Sequence, residues 1–338
     1  MNIYRFSSIF SNIIYFSAIF ALRYKCPESF RKYQTLLCVH TVANLILENY
    51  LTTLWKIMIT TPWMSVCGFG LIYDYPAVNI GVFVILLQIT ASTIVVLLEY
   101  RMKAVVSLNH RNIAKLASVL KHFYTLTQVV VFFSFLYAYD DFRYQNDYKL
   151  EVDEVDGPLP EFVFCDNCII FNLHSWKTIA FALAATFSTT IAANSGLLMA
   201  FASYHALAQT STMFSKRTML VQRSFLRSLF IQLAVHFLFL VAPIFIFFAA
   251  FLLKLSMEKW QIFVHSLTVL FAQHGSFSTL AMLGSNKQLR RNLNLFTQKV
   301  RRGLQLSSNI ESDRNLNQTS FAFQQYNQNA TRLATKIN

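Results

Sequence analysis

Stretches without a single Asp, Glu, Lys or Arg run over 6–22, 33–47, 57–73, 75–98, 122–139, 178–215, 228–253 and 260–286. Within them polar side chains do not return every third or fourth position, as they would on a water-exposed helix. Uncharged apolar runs of about 18 or more residues read as membrane-crossing helices. The run at 33–47 continues through Glu48 to Trp55 as one span with a single acid in it. The run at 57–73 carries Pro62, Trp63, Cys67, Gly68 and Gly70, and reads as a loop that re-enters the membrane or lies at its surface. Seven spans remain, at about 6–22, 34–55, 76–98, 122–139, 178–203, 229–253 and 261–283. The pattern therefore predicts an all-α membrane protein, a seven-helix bundle over 1–283.

The totals agree with that class. The chain is 55% hydrophobic and 13% charged, against about 25% charged for an ordinary soluble domain. Connectors after odd-numbered spans, with the tail from 284, hold 22 Lys and Arg, and the connectors on the other side hold 7. The positive-inside rule then puts the N-terminus outside the cell. The formal charge of +13 becomes an orientation signal and an attraction to the lipid bilayer, and no nucleic-acid partner is implied. The first span raises a different question. It resembles a signal peptide, yet no small-x-small cleavage site precedes Arg23, Lys25, Arg31 and Lys32. As a retained helix, 6–22 reaches only about 25 Å, short of the hydrocarbon core, unless the helix extends to Met1 or a further piece lies upstream.

The long connector 140–177 carries nine acids against three bases. It reads as a solvated loop or as a vestibule favouring cationic ligands. Cys67, Cys165 and Cys168 all fall on the predicted outer side, where a disulfide persists. A Cys67–Cys168 bridge is preferred, with Cys67–Cys165, Cys165–Cys168 and free thiols left open. On the other side, Leu289, Leu293, Phe296 and Val300 recur at helical spacing among six bases. Residues 284–306 thus read as a cytosolic amphipathic helix on the inner leaflet or a solvated tail helix. The polar segment 307–338 reads as a disordered tail, in which the sequons at Asn317 and Asn329 are chance matches.

Seven spans, an outer N-terminus and a surface helix after the seventh are the plan of a G-protein-coupled receptor, and several motifs narrow it. "CPESFRKYQTLLCVH" and "TTPWMSVCGFG" resemble elements entering the second and third spans of the nematode serpentine receptors of class H, a chemoreceptor family. "LLEYRMKAV" resembles that family's Glu-Asn-Arg-Tyr element, with Glu99 and Arg101 matching and Tyr100 and Met102 departing. "KRTMLVQRSFLRSLFIQLAVHFLFLVAP" keeps the Gln and second Pro of the sixth-span region as Gln232 and Pro243, with His236 where a first Pro is usual. "QHGSFSTLAML" resembles the His-Gly…Ser-Thr…Met-Leu element of the seventh span, while the Pro-Tyr-Arg that commonly follows is replaced by "NKQLRRNL". The matches spread from about 23 to 292.

Candidate sites follow from the chemistry of buried polar groups. Glu48 is the one acid well inside a span, so it is protonated, paired or snorkelling toward water. His274 and Ser278, one turn apart on the seventh span, are its candidate partners, and with His236 they make up an expected polar network. The alternative is that Ser and Thr bond their own backbone. Gly196 and Gly275 suit close helix contact. Pro243 is the expected hinge of the sixth span, above the basic group Lys216, Arg217, Arg223 and Arg227. Glu99 is expected to latch to Arg223 or Arg227, or else to sit in water beside Arg101, and these four make the coupling site. Tyr75, Phe83, Trp176, Phe181 and Phe247 are the candidate ligand-binding aromatics. The resemblance implies a receptor in the plasma membrane of sensory cilia, taking a small-molecule cue outside and a heterotrimeric G protein inside, with no cofactor or metal. A transporter or ligand-gated channel is the alternative, set back by the absence of internal repeats and of several buried charges. No motif of an intramembrane enzyme appears.

Overall fold

The computed structural model describes residues 2–24, 31–60, 65–105, 111–155, 158–172, 174–209, 216–253, 261–287, 289–295 and 297–298. Two units are separated, Met1–Arg290 and Arg291–Asn338. In the second unit, 291–295 and 297–298 are helical, and Thr297 Oγ1 donates to the Leu293 and Asn294 carbonyls at 3.2 and 2.9 Å. Phe296, Val300, both sequons and the segment 307–338 lie outside the described residues.

The first unit is built from long helices. Helix α1 (Asn2–Arg23) has 22 residues, about 33 Å at 1.5 Å per residue, so starting near Met1 gives it the length the hydrocarbon core requires. Helix α2 (Arg31–Asn49) runs on through a π-helical turn, Tyr50–Leu54. Helices α3 (Pro76–Val105), α4 (Arg111–Arg143) and, after a short helix α5 (Asn146–Val155), α6 (Trp176–Gln209) are each at least 30 residues long. A bent rod follows: α7 (Lys216–His236), a π turn (Phe237–Val241) and α8 (Ala242–Leu252). The last rod is α9 (Gln261–Ala272) and α10 (His274–Ser285), interrupted at Gln273.

Among the described residues, five helical stretches are long and apolar enough to cross a membrane: Tyr4–Arg23, Pro76–Ala104, Lys115–Arg143, Trp176–Gln209 and Gln222–Ala250. The two remaining rods miss that measure for physical reasons. Helix α2 buries Gln34, His40, Thr41, Asn44 and Glu48 on its inward side, which lowers its apolarity without exposing polar groups to lipid. The α9–α10 rod is broken at Gln273 into two helices of 12 residues each, too short for that measure. Side chains such as Phe6, Ile13, Phe16, Phe133 and Phe187 point outward, as an apolar solvent permits. The core between the helices is aromatic, with Phe135 stacked on Phe142 and edge-on to Phe181.

Within 57–73, residues 57–60 and 65–68 are strands rather than irregular loop. Strands β1 (Ile57–Thr60) and β2 (Ser65–Gly68) pair antiparallel, and β3 (Cys168–Ile170) from the 140–177 connector adds to the far edge of β2. Ile, Val and Thr favour the pleated backbone, and pairing satisfies groups a bare loop would leave open. Cys67 lies opposite Cys168 in the register, and a disulfide joins them. Cys165 is a free, exposed thiol. The connector is ordered further by α5, whose Lys149 is buried and donates to the Cys165 carbonyl at 3.0 Å. Burial pulls that ammonium below the ordinary lysine range, against the opposing pull of Asp166. Asp141 accepts from Ser175 Oγ and, at 2.9 Å, from Thr178 Oγ1, tying the end of α4 to the start of α6. Tyr4 Oη donates to the Ile57 carbonyl at 3.0 Å, so α1 begins at the sheet end of the bundle.

Candidate functional site

A cavity of about 640 Å³ lies beneath the sheet, between α3, α4, α6 and the bent rod. Trp55, Ile57, Ile59 and Val66 roof it, and Phe83, Phe181, Phe247 and Phe271 form much of its wall. Among the described residues, none of the side chains lining it is Asp, Glu, Lys or Arg. Three of the five expected aromatics, Phe83, Phe181 and Phe247, reach it. Tyr75 and Trp176 do not, being 72% and 69% exposed. Both stand at helix starts, where the side chain turns away from the bundle. Trp55 and Phe171 line the space unanticipated: Trp55 closes the π turn at the end of α2, and Phe171 follows β3, which the connector brings to β2 from far along the chain.

Deeper in the bundle two buried polar clusters share helix α2. The break at Gln273 leaves the first amides of α10 without carbonyls four residues back. Glu48 Oε2 accepts the Ser276 N–H at 2.8 Å and the Tyr15 hydroxyl at 2.7 Å. A carboxylate at a helix N-terminus is held by both the hydrogen bond and the dipole. Gln273 extends the cluster, accepting from Ser11 Oγ at 3.2 Å and from Ser276 Oγ at 3.3 Å, and donating to Ser7 Oγ. Glu48 is therefore not paired with His274 or Ser278. His274 Nδ1 donates back across the break to the Phe271 carbonyl of α9, and Ser278 Oγ is buried without a hydrogen-bond partner. The main-chain donor freed by the helix break stands in the place expected for those side chains.

The second cluster is a row of three histidines. His40 and His236 lie 5.3 Å apart, and His236 and His274 5.6 Å, between ring centres. Asn44 Nδ2 donates to His40 Nε2 at 3.0 Å, so His40 Nδ1 carries a proton toward Thr93 Oγ1, 2.8 Å away. His236 Nδ1 donates to the Gln232 carbonyl at 2.9 Å. The spacing of His40, Asn44 and Glu48, four apart on one helical face, was the available signal for both clusters. Tyr15, on another helix, carries no such mark. Gly275 is what lets α10 approach: a Cβ there would meet Tyr15 Oη and Asn44. At Gly196 a Cβ would stand 3.3 Å from Leu98 and 3.4 Å from Leu233.

At the end opposite the sheet, Glu99 is buried and bound to Lys103 at 2.8 Å and to Lys121 of α4 at 2.6 Å. The expected latch to Arg223 or Arg227 is absent, both being exposed, since Lys121 meets Glu99 from the neighbouring helix. Arg101 is also buried, with its guanidinium 4.8 Å over the Tyr33 ring and Nη2 3.5 Å from the Gln222 carbonyl. Ser285 Oγ donates to Ser228 Oγ at 2.8 Å, joining α10 to α7. Pro243 sits just past the π turn, where its missing N–H leaves the Phe239 carbonyl without its usual helical donor and the rod bends.

Comparison with curated proteins gives no match. A family model, by contrast, matches residues 1–298, all of the first unit and the start of the second. Its description is serpentine type 7TM GPCR chemoreceptor Srh. With its multi-pass helical bundle and its motifs for the third, sixth and seventh spans, the chain belongs to the Srh family of serpentine seven-transmembrane chemoreceptors.

Proposed function

We propose that this chemoreceptor binds a small-molecule cue in the cavity under the sheet and activates a heterotrimeric G protein at the opposite end. The seven rods cross the plasma membrane, of a sensory cilium in the cell that uses the receptor. The sheet and the acidic connector face outside, and the basic ends of the helices face the cytosol. The carrying observation is continuity: the cavity wall includes His236, Phe237 and Val241, the residues of the bend in the α7–α8 rod. A molecule wedged against that bend binds one arrangement of the rod more tightly than the other, and this difference is all a ligand needs to shift the population. Phe83, Phe181 and Phe247 form the contact wall, Pro243 and the π turn the hinge, and Glu99 with Lys121 the resting latch. Glu48, His236, His274 and Ser278 sit in the buried network that the motion of the rod disturbs.

Expression in a reporter cell, challenged with volatile and water-soluble cues, tests the reading. A G-protein-dependent response to one cue, lost in Phe181→Trp, is expected. A cue-evoked current that persists without any G protein would make the chain a ligand-gated channel instead.

A further inference from the structure

The polar side chains lining the cavity are mostly spoken for. Gln88 Nε2 donates to the Gln128 carbonyl, Tyr124 Oη accepts from Gln128 Nε2, and Ser188 bonds Thr127. Thr186 and Thr189 donate to carbonyls of their own helix. The Trp55 indole N–H is buried without a hydrogen-bond partner and packs on Gly68, where a Cβ would collide with it. Two further groups, both on the long helices, stand apart. His236, 5% exposed, and Thr90, 1% exposed, both line the cavity, and neither His236 Nε2 nor Thr90 Oγ1 has a hydrogen-bond partner.

Their chemistry is complementary. The Gln232 carbonyl can only accept, so His236 Nδ1 carries the proton and Nε2 of the neutral ring presents a lone pair. The Thr90 hydroxyl can both donate and accept. The two groups belong to one neighbourhood: Thr93 Oγ1 donates to the Thr90 carbonyl and meets His40, whose ring is 5.3 Å from that of His236. A ligand hydroxyl donates to Nε2 and accepts from Thr90, completing both at once. Among the described lining residues, the Trp55 indole N–H against Gly68 is a third buried polar group without a partner, and none is Asp, Glu, Lys or Arg to offer a counter-ion.

Resting on the proposed use of this cavity, we infer that its ligand is an uncharged, predominantly apolar molecule bearing one hydroxyl, recognised through His236 and Thr90. A carbonyl compound of the same shape leaves Nε2 unpaired, and carboxylates and ammonium ions are excluded by the uncharged wall.

The test uses the full chain in lipid nanodiscs, with 1-octanol, octanal, octanoate and octylammonium as probes and the shift in unfolding temperature as the binding readout. Half-saturation by 1-octanol is expected at a concentration about tenfold below that of octanal, with no shift from either ion. Ala185→Trp, which fills the cavity, should abolish both shifts. His236→Phe should bring the alcohol level with the aldehyde, while His236→Gln, which keeps an acceptor, should preserve the preference. If His236→Phe does not fold, Thr90→Val carries the same test by weakening the preference. Equal binding of alcohol and aldehyde, tight binding of either ion, shifts that survive Ala185→Trp, or no shift with any probe would each overturn the inference. Because binding is read without a G protein, the two proposals fail separately. A chain that shows the alcohol preference but never activates a G protein overturns the function proposed above and leaves the ligand chemistry standing.

Discussion

Glu48 of α2 accepts the Ser276 amide of α10 at 2.8 Å, closing a helix start that lies in the middle of the bundle. An interior helix terminus in lipid has no water to turn to, so a partner must come from another helix. Glu48 supplies it, and Tyr15 of α1 steadies the carboxylate from the other side at 2.7 Å. Three helices thereby depend on one acid.

Glu48→Leu should accordingly destabilise the receptor by about 1–3 kcal/mol for each buried donor left unpaired, whereas Glu48→Gln, which retains an acceptor oxygen, should cost much less. Unfolding of the two variants in nanodiscs measures the difference. Equal stability of Leu and Gln at this position would mean that the acid does not cap α10.

Gly275→Val is expected to lose stability by overpacking, about 1–3 kcal/mol, because the new side chain falls on Tyr15 and Asn44. Gly284→Val, with nothing within 4 Å of its Cβ position, serves as the control and should be near neutral. If both substitutions are tolerated alike, α1 and α2 do not pack on α10 as described.

Removing the Cys67–Cys168 bridge, by Cys168→Ser or by reduction, should lower stability by about 2–5 kcal/mol. It should also weaken binding in the cavity, since β2 carries the roofing Val66. Cys165→Ser should do neither. Non-reducing peptide mapping of the native protein gives the direct check, and a Cys165-containing bridge would refute the pairing.

Charge reversal at Glu99 or at Lys121 alone should raise basal G-protein signalling several-fold by breaking the pair at 2.6 Å. The double reversal Glu99→Lys with Lys121→Glu should restore a low basal level, the coupling expected of residues in contact. Basal activity in reporter cells, normalised to surface expression, reads this out. Failure of the double reversal to restore quiet behaviour would remove the latch from the proposal.

The sequence by itself determined the class of the protein and where its long rods run. Uninterrupted apolar runs have one physical outcome in a bilayer, and that outcome depends on local composition alone. It also singled out Glu48, His236, His274, Glu99 and Pro243, because a polar or helix-breaking group in lipid needs a reason. Partners were another matter. Glu48 meets a backbone amide rather than His274 or Ser278, Glu99 meets Lys121 rather than an arginine of α7, and the β1–β2 pair takes its third strand from about a hundred residues away. Which donor faces which acceptor depends on how helices rotate and where they break. Those choices are settled by packing the whole bundle together, and no local pattern carries them.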